Sequence, residues 1–240
     1  MVEKQLLDEI LSQRREVAAL IPNNAKKILD VGCAGGGLGG FLKEQRKDVE
    51  VVGIDIDEKS LGEAKLKLDS VICADIEKDI RLPYPEKYFD CIVFADILEH
   101  VREPDKIILK FKPYLSSEGS IVCSIPNIRN IAIFKSLLVD GRWKYFDPSK
   151  DEFHTAEQNI LYKDHIRFFT LREVIELLES TGFNIEMVQG TLLVAKDHQL
   201  SAMFEKDLLE LVSKYGGDSE RLKNEMKVIQ FLVVAKPMLK

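Results

Sequence analysis

The chain has 240 residues, a formal net charge of -6 and 31% charged residues. This length fits one domain with a sizeable core, so we expect residues 1–240 to form a single domain. The charge is acidic and the basic residues are scattered, which disfavours a nucleic-acid partner.

The cysteines and the first residues predict a cytoplasmic protein. Cys33, Cys73, Cys91 and Cys123 each lie in or beside an apolar stretch without paired metal spacing. We therefore expect buried free thiols in a reducing compartment and no metal site. The first ten residues are too charged for a signal peptide, and no apolar run approaches the roughly 20 residues of a membrane span. The sequence leaves the oligomeric state open.

The first predicted element is an amphipathic helix within residues 3–20. Its apolar residues recur at helical spacing, with charges between them: Leu6, Leu7, Ile10, Leu11, Val17 and Leu20. We expect this helix to pack its apolar face on the main body. Pro22 and the two asparagines after it then break the chain.

A buried strand and a glycine-rich turn follow in residues 27–42, KILDVGCAGGGLGGFL. Ile28, Leu29 and Val31 are typical of a short parallel strand that ends at about Val31. The glycines suit a sharp turn on which a ligand lies against bare main chain, and a helix that begins there directs free N–H groups at an anion. A tight connection without a ligand is the alternative interpretation of the glycines alone.

Two further strands end near acidic residues. Residues 51–55, VVGID, close on Asp55, and residues 71–75, VICAD, close on Asp75. Asp55 lies about 20 residues past the glycine turn, the offset at which an acid reaches a ribose hydroxyl. Because the carboxyl ends of parallel strands line one crevice, these acids predict one site for one polar ligand. Each acid could instead cap its own loop.

A helix is predicted between these two strands. Asp57 can cap its first turn, and the helix would reach about Leu68. Its expected buried positions are Leu61, Ala64, Leu66 and Leu68.

The glycine spacing alone leaves two cofactors open. Gly35, Gly37 and Gly40 fit G-x-G-x-x-G, the dinucleotide fingerprint. Asp30, however, precedes Gly32 by two residues, inside the strand end. A carboxylate there would repel a pyrophosphate and attract an ammonium group.

The next elements continue an alternation of strands and helices. Residues 89–95, FDCIVFA, predict a fourth strand, and Pro104 begins a helix through Tyr114. Glu118-Gly119 then turns the chain into a fifth strand over residues 120–125. This alternation predicts an α/β fold with a doubly wound, mostly parallel sheet covered on both faces.

Residues 127–170 interrupt the alternation. A short helix is predicted from Ile131 to Leu138, and the rest mixes aromatic and charged residues without a clean period. Long segments of this kind often act as lids, so we interpret 127–170 as a cap that binds the acceptor. Its candidate stacking residues are Trp143, Tyr145 and Phe146, for which packing within the insert is the alternative.

The last third of the chain predicts one capped helix and a return to the sheet. Thr170 and Glu173 form a capping box for a helix over 171–180, and Gly182 is its expected C-cap glycine. The remaining predicted elements are a strand over 183–189, a helix over 203–215 and a final strand over 231–235.

These motifs resemble those of the class I S-adenosylmethionine-dependent methyltransferases. The glycine motif of that family usually runs D-x-G-C-G-x-G. This chain carries it as Asp30, Gly32, Cys33, Ala34 and Gly36, so that an alanine replaces the middle glycine and narrows the space above the turn. Residues 89–101, FDCIVFADILEHV, resemble the fourth motif of the family. Residues 164–170, DHIRFFT, resemble a D-x-x-H-x-R-F-F-T signature of its type 11 and type 23 relatives.

The resemblance implies a seven-stranded Rossmann-like sheet whose last strand lies antiparallel between the fifth and the sixth. It also implies S-adenosyl-L-methionine as the cofactor. The positions that match cofactor-binding motifs are Asp30, Gly32, Cys33, Ala34, Gly36, Asp55, Ile56, Asp75, Ile76, Ala95, Asp96 and Ile97. By this resemblance Asp30 would hold the amino end, Asp55 the ribose and Asp75 the adenine amino group. Residues 95–97 would lie near the transferable methyl.

The resulting hypothesis is methyl transfer to a small-molecule acceptor, with an oxygen nucleophile such as a sugar or phenol hydroxyl or a carboxylate. The sulfonium already makes the methyl electrophilic, so the protein must only align the nucleophile and exclude water, and this scheme requires no metal.

Three side chains are candidates for work on the acceptor. His165 could take a proton from a hydroxyl, His100 could border the acceptor pocket, and Arg167 could hold a carboxylate or phosphate. Local hydrogen bonds are the alternative role for all three. Two other functions stay open: a nicotinamide-dependent oxidoreductase, and a protein that binds S-adenosylmethionine without transferring its methyl group.

Overall fold

The structure is a computed structural model that describes residues 14–139, 141, 165–192 and 198–238. Its seven strands are β1 (Lys27–Val31), β2 (Glu50–Asp55), β3 (Ser70–Cys73), β4 (Phe89–Ala95), β5 (Leu115–Pro126), β6 (Phe183–Leu192) and β7 (Val228–Pro237). Its helices are α1 (residues 14–20), α2 (Gly37–Gln45), α3 (Glu58–Ala64), α4 (Pro104–Phe111), α5 (Ile131–Leu138), α6 (Leu171–Ser180), α7 (His198–Lys214) and α8 (Ser219–Met226).

The strands form one sheet in the order β3-β2-β1-β4-β5-β7-β6. β1 to β5 pair in parallel, and β7 lies antiparallel between β5 and β6. The predicted α/β fold, including the position and direction of the last strand, is therefore confirmed. From β1 the chain runs outward through β2 and β3 on one side and resumes with β4 on the other side. Open α/β sheets bind their ligands at such a switch point, here between β1 and β4.

Apolar side chains fill both faces of the sheet. On one face, buried residues of α1, α2 and α3 pack on the strands, among them Val17, Leu38 and Leu61. On the other face, α4 and α6 supply Ile108, Phe111, Val174 and Leu178 to a second cluster. The central strands are buried on both sides, which explains why their sequences are continuous apolar runs rather than alternating ones.

The helix after β2 is shorter than predicted. Asp57 caps it as expected, because its carboxylate accepts the N–H groups of Lys59 and Ser60, but α3 ends at Ala64. The chain turns there, so the helical period no longer applies. Leu66 is consequently 87% exposed, and its predicted burial is wrong, whereas Leu68 is buried.

Three other details differ from the sequence prediction. β3 ends at Cys73, so Asp75 lies two residues beyond the strand, and Cys73 is exposed while the other three free thiols are buried. Glu118-Gly119 does not precede β5 but lies inside it, where the register with β4 shifts from Phe89↔Leu115 to Cys91↔Ser120. The strand absorbs the extra residues as a bulge.

The predicted capping box of α6 is confirmed. The Thr170 side chain accepts from Glu173 N–H, and the Glu173 carboxylate accepts from Thr170 N–H. α8 was not predicted because Leu222 and Met226 are almost its only apolar residues. The cap predicted over 127–170 lies largely outside the described residues, as do Trp143, Tyr145 and Phe146, so it stays a prediction.

Candidate functional site

The glycine turn after β1 is a tight main-chain loop. Gly32 and Gly36 have φ of 80° and 70°, conformations that side chains rarely adopt, and Gly36 N–H donates to the Cys33 carbonyl at 2.9 Å. Ala34 also has a positive φ of 45°. α2 begins directly after Gly36 with no side-chain cap. Its first N–H groups are therefore available to an anion.

Asp30 lies buried beneath this turn. Its residue is 3% exposed, and burial raises the pKa of its carboxyl to about 7. The positive charge of Arg14 opposes this increase in pKa, and the negative charge of Asp55 adds to it. A buried carboxylate next to an open loop is a site for a cation.

Arg14 is a site residue that the sequence did not indicate. It belongs to α1, and a Cβ at Gly37 would overlap its guanidinium, so the guanidinium lies against the first turn of α2. Its charge acts on both Asp30 and Asp96. Nothing in the charged pattern of residues 14–16 distinguishes this arginine from Arg15, because only the path of α1 across the sheet brings it here.

The end of β2 contacts the glycine turn through Asp55. One carboxylate oxygen of Asp55 accepts Ala34 N–H at 2.8 Å, and the other accepts Asp57 N–H at 2.9 Å. The next residue, Ile56, is 66% exposed and presents an apolar side chain beside this acid. An acid next to an apolar surface suits a ribose joined to an aromatic base.

The segment after β3 contributes Asp75 and Ile76. Asp75 accepts Glu77 N–H at 3.0 Å and pairs with Lys78 at 3.5 Å, so it caps its own loop as the alternative reading proposed. Ile76 is buried and packs in the core under the sheet.

The loop after β4 closes over the glycine turn. A Cβ at Gly32 would lie 2.8 Å from Cδ1 of Ile97, so the two loops are in close contact. Asp96 has a φ of 52°, and its N–H donates to the Ser124 carbonyl at 3.2 Å and to Ser124 Oγ at 3.1 Å. Ala95 is the last residue of β4. The predicted residues 95–97 therefore lie beside the glycine turn, and their contact with a cofactor stays a prediction.

Gln230 is a second residue that the sequence did not indicate. From β7 it donates through Nε2 to Oδ1 of Asp96, which also accepts from Ser124 Oγ. Gln230 is 4% exposed, and its Oε1 has no hydrogen-bond partner among the described residues. Three strands, β4, β5 and β7, thus fix the position of Asp96.

His100 and His165 lie together although 64 residues separate them in the sequence. Their rings meet edge to face with centroids 4.6 Å apart at 83°. Glu99 completes the cluster, with Oε1 3.9 Å from Nε2 of His165. Glu99 belongs to residues 89–101, the segment that resembles the fourth family motif, but the sequence indicates no role for it.

Two residues of this cluster are almost completely shielded from solvent. Glu99 and His165 are 1% and 2% exposed. Burial, aided by the nearby Asp96 charge, raises the pKa of Glu99 well above its usual range. Burial and the neighbouring His100 lower the pKa of His165 to about 3. Each group is therefore held towards its neutral form.

Arg167 lies beside the cluster but does not enter it. Its Nε donates to the Arg102 carbonyl at 3.0 Å, and the residue is exposed. Its main-chain N–H donates to the Glu99 carbonyl at 3.0 Å. The arginine fastens the segment that carries His165 to the turn that carries His100. A contact with the acceptor stays a prediction.

Among the residues that the structure describes, no helix is both long and apolar enough to cross a membrane.

Comparison with known proteins gives the family. Residues 3–188 match a family model described as "Methyltransferase domain". A curated relative, the ubiquinone biosynthesis O-methyltransferase of Cereibacter sphaeroides, is 28% identical over 54% of this chain and 52% of its own length. Phosphoethanolamine N-methyltransferase 3 of Arabidopsis thaliana is 29% identical over 40% of this chain and 20% of its own length. The chain thus spans about half the length of the first of these curated relatives and a fifth of the second.

The fold comparison agrees with the family match. The plantazolicin methyltransferase BpumL, solved in complex with SAH, superposes with a TM-score of 0.59 at 18% identity over 99% of this chain and 86% of its own. The family match also favours methyl transfer over the oxidoreductase that the glycine spacing had left open. The family is the one expected from the sequence. The chain belongs to the methyltransferase domain family, and its fold is that of the S-adenosylmethionine-dependent methyltransferases.

Proposed function

We propose that this chain transfers the methyl group of S-adenosylmethionine to a hydroxyl oxygen of a small-molecule acceptor. The observation that carries the proposal is the pairing of opposite charges at the glycine turn. Asp30 offers a buried carboxylate, while Arg14 and the first turn of α2 offer positive charge a short distance away. An amino-acid zwitterion has an ammonium for the first and a carboxylate for the second, whereas a pyrophosphate would be repelled by Asp30.

The nucleoside half of the cofactor would extend towards β2 and β3. Each Asp55 oxygen accepts one N–H and retains a second lone pair, so the carboxylate can also accept from ribose hydroxyls. Ile56 would lie against the adenine ring, and Asp75 would accept from its amino group. The roles of Cys33, Ala34, Gly36 and Ile76 would be to shape the walls of this cleft.

The methyl group would then point towards the loop of Ala95, Asp96 and Ile97. The acceptor oxygen attacks the methyl carbon in line with the carbon–sulfur bond, that bond breaks, and S-adenosylhomocysteine leaves. The hydroxyl proton would pass to the imidazole of His100. The cluster of His100 and His165 borders this loop, and His100 is the more exposed of the two imidazoles.

The buried cluster is the reason to favour oxygen over nitrogen. A neutral amine attacks with its own lone pair, whereas a hydroxyl becomes a good nucleophile only as it loses its proton. The His100–His165 pair, next to Glu99, supplies imidazole groups to which a hydroxyl proton can pass. The curated relatives include both an O-methyltransferase and an N-methyltransferase, so the test must compare the two acceptor classes.

The proposal is tested with a labelled methyl group. The purified protein is incubated with trideuteromethyl S-adenosylmethionine and matched sets of phenols, catechols, sugars, carboxylates and amines. Mass spectrometry then locates the label. We expect label on oxygen, S-adenosylhomocysteine in equal amount, and neither product with Asp30→Asn. Label confined to amines would contradict the oxygen assignment. Binding of S-adenosylhomocysteine with no labelled product from any set would support the non-transferring reading instead.

A further inference from the structure

We propose that Glu99, His100 and His165 form a binding site for a divalent transition-metal ion, with Zn²⁺ as the best match. One ligand atom of each residue lies within 4.8 Å of the others, and the Glu99–His165 pair is already at 3.9 Å. In a tetrahedral zinc site with bonds of about 2.0–2.2 Å, neighbouring ligand atoms are roughly 3.3–3.6 Å apart. Side-chain adjustments of about 1 Å would therefore complete the site.

The carboxylate of Glu99 independently indicates a missing partner. Its residue is 1% exposed, and neither carboxylate oxygen has a hydrogen-bond partner among the described residues. A buried carboxyl group without a hydrogen-bond partner is costly in either protonation state, and such a group calls for an explanation such as a bound ion. A cation between Glu99 and the imidazoles would give this carboxylate the partner that it lacks.

The main chain holds the three ligands in place. The N–H groups of Ile166 and Arg167 both donate to the Glu99 carbonyl, at 2.9 and 3.0 Å. Nε of Arg167 donates to the Arg102 carbonyl on the other side of the turn. These bonds join the segment that contains His165 to the short helical turn Leu98–His100. A site held by two segments in this way is preorganised before the ion arrives.

The chemistry of the ligands selects the ion. Two imidazoles and one carboxylate suit Zn²⁺ and its transition-metal neighbours, whereas Mg²⁺ and Ca²⁺ prefer sites made of oxygen alone. Three protein ligands also leave one coordination position open, as in catalytic zinc sites. Asp96 lies near enough for its charge to act on Glu99, which adds to the negative field that an ion would meet.

An ion here would change how the acceptor is activated, an extension that rests on the proposed function. A hydroxyl that entered the open position would coordinate the ion and release its proton to solvent more readily, because a bound cation lowers the pKa of a coordinated oxygen. The imidazoles would then act as ligands rather than as bases. Binding of the ion itself requires neither cofactor nor acceptor.

The test measures metal binding alone. Untagged protein carrying Cys73→Ser, which removes the exposed thiol, is dialysed against chelator and titrated with Co²⁺ and then with Zn²⁺. We expect one Co²⁺ per chain with the visible absorption of a four- or five-coordinate site, displaced by Zn²⁺. Loss of one ligand should weaken binding at least about 100-fold, since even outer-shell partners are worth roughly 10–100-fold.

Matched variants complete the design. Glu99→Gln and His165→Asn remove one ligand each, while Glu103→Gln makes the same chemical change at an exposed residue paired with Lys106. Thermal melts of the chelated proteins establish that each variant folds, and His100→Asn replaces any that does not. Zn²⁺ should raise the melting temperature of the parent and of Glu103→Gln only. Equal binding by parent and Glu99→Gln, or no binding by the folded parent, would overturn the proposal.

Discussion

The main-chain N–H of Ala34 donates to Oδ2 of Asp55 at 2.8 Å, so the glycine turn and the end of β2 share one carboxylate. The other oxygen of Asp55 accepts Asp57 N–H at the start of α3. Asp55 therefore holds the glycine turn and the start of α3 in place. The ribose contact proposed for Asp55 would come in addition to this structural role.

Asp55→Ala should lower both the affinity for S-adenosylhomocysteine and the free energy of unfolding. Both lost hydrogen bonds are exposed to solvent and contribute about 1 kcal/mol each, so we expect a free energy of unfolding lower by about 2 kcal/mol and weaker S-adenosylhomocysteine binding. Urea unfolding and calorimetric titration measure the two effects. Asp57→Ala is the control, since it removes the cap of α3 at about 1 kcal/mol but lies outside the cleft. Equal loss of binding in both variants would argue against a cofactor role for Asp55.

Cofactor affinity should depend on pH through Asp30. The carboxyl of the free protein has a pKa of about 7, and only its ionised form attracts the ammonium group. Between pH 8 and pH 6 the affinity for S-adenosylhomocysteine should fall about tenfold, because the carboxyl takes up a proton. Asp30→Asn should bind weakly at every pH. A flat profile in the unsubstituted protein would be inconsistent with a cation at Asp30.

The same shift predicts that Asp30 lowers the stability of the cofactor-free fold at high pH. A pKa raised from 3.8 to about 7 means that the folded state holds the proton more tightly. The stabilisation from that proton is complete below about pH 4 and is lost as pH rises towards 7. The stability advantage of Asp30→Asn should therefore grow by roughly 2–3 kcal/mol between pH 5 and pH 8. Parallel stability curves for the two proteins would contradict the assigned shift.

Arg14→Ala should weaken cofactor binding and alter its pH profile. The guanidinium lowers the pKa of Asp30, so its removal should move the midpoint of the affinity profile to higher pH. Loss of a charge-assisted contact to the cofactor carboxylate should cost about 10–100-fold in affinity. Arg15→Ala is the matched control, because that side chain is exposed and lies over the Phe41 ring at 5.6 Å. If the midpoint of the affinity profile is unchanged in Arg14→Ala, Arg14 does not act on Asp30 as proposed.

Gly32→Ala should abolish cofactor binding. The residue has a φ of 80°, and the added methyl would lie 2.8 Å from Cδ1 of Ile97. A second substitution, Ile97→Ala, removes the overlap but not the backbone strain, so only part of the binding should return. Gly62→Ala provides the control: its Cβ meets nothing within 4 Å, and alanine should stabilise α3 by about 0.5–1 kcal/mol. Full binding by Gly32→Ala, measured by calorimetry, would show that the turn tolerates a side chain.

The sheet was predictable because each central strand is a short apolar run that can be recognised from its own residues. β4 has the predicted bounds, and Asp30 and Asp55 end strands whose apolar runs leave little choice of structure. Local rules failed where tertiary packing decides. Leu66 continues a helical period, yet the chain turns at Lys65, and Glu118-Gly119 is a turn signal that a bulge absorbs within β5.

The site was only half visible in the sequence. Residues at strand ends converge by topology, so Asp30, Asp55 and Asp96 could be assigned to one edge. Arg14 and Gln230 could not, because they reach the cleft from α1 and β7 and carry no motif. The association of Glu99 with His165 was equally hidden, since the two residues are 66 positions apart in the sequence and meet only in the folded structure.

The most direct test of the account is a calorimetric titration of the purified protein with S-adenosylhomocysteine at pH 8, followed by NADH in the same cell. We expect one S-adenosylhomocysteine per chain, lost in Asp30→Asn, and no heat from NADH. Binding of NADH with no response to S-adenosylhomocysteine would contradict the assignment of Asp30 to the ammonium end of the cofactor.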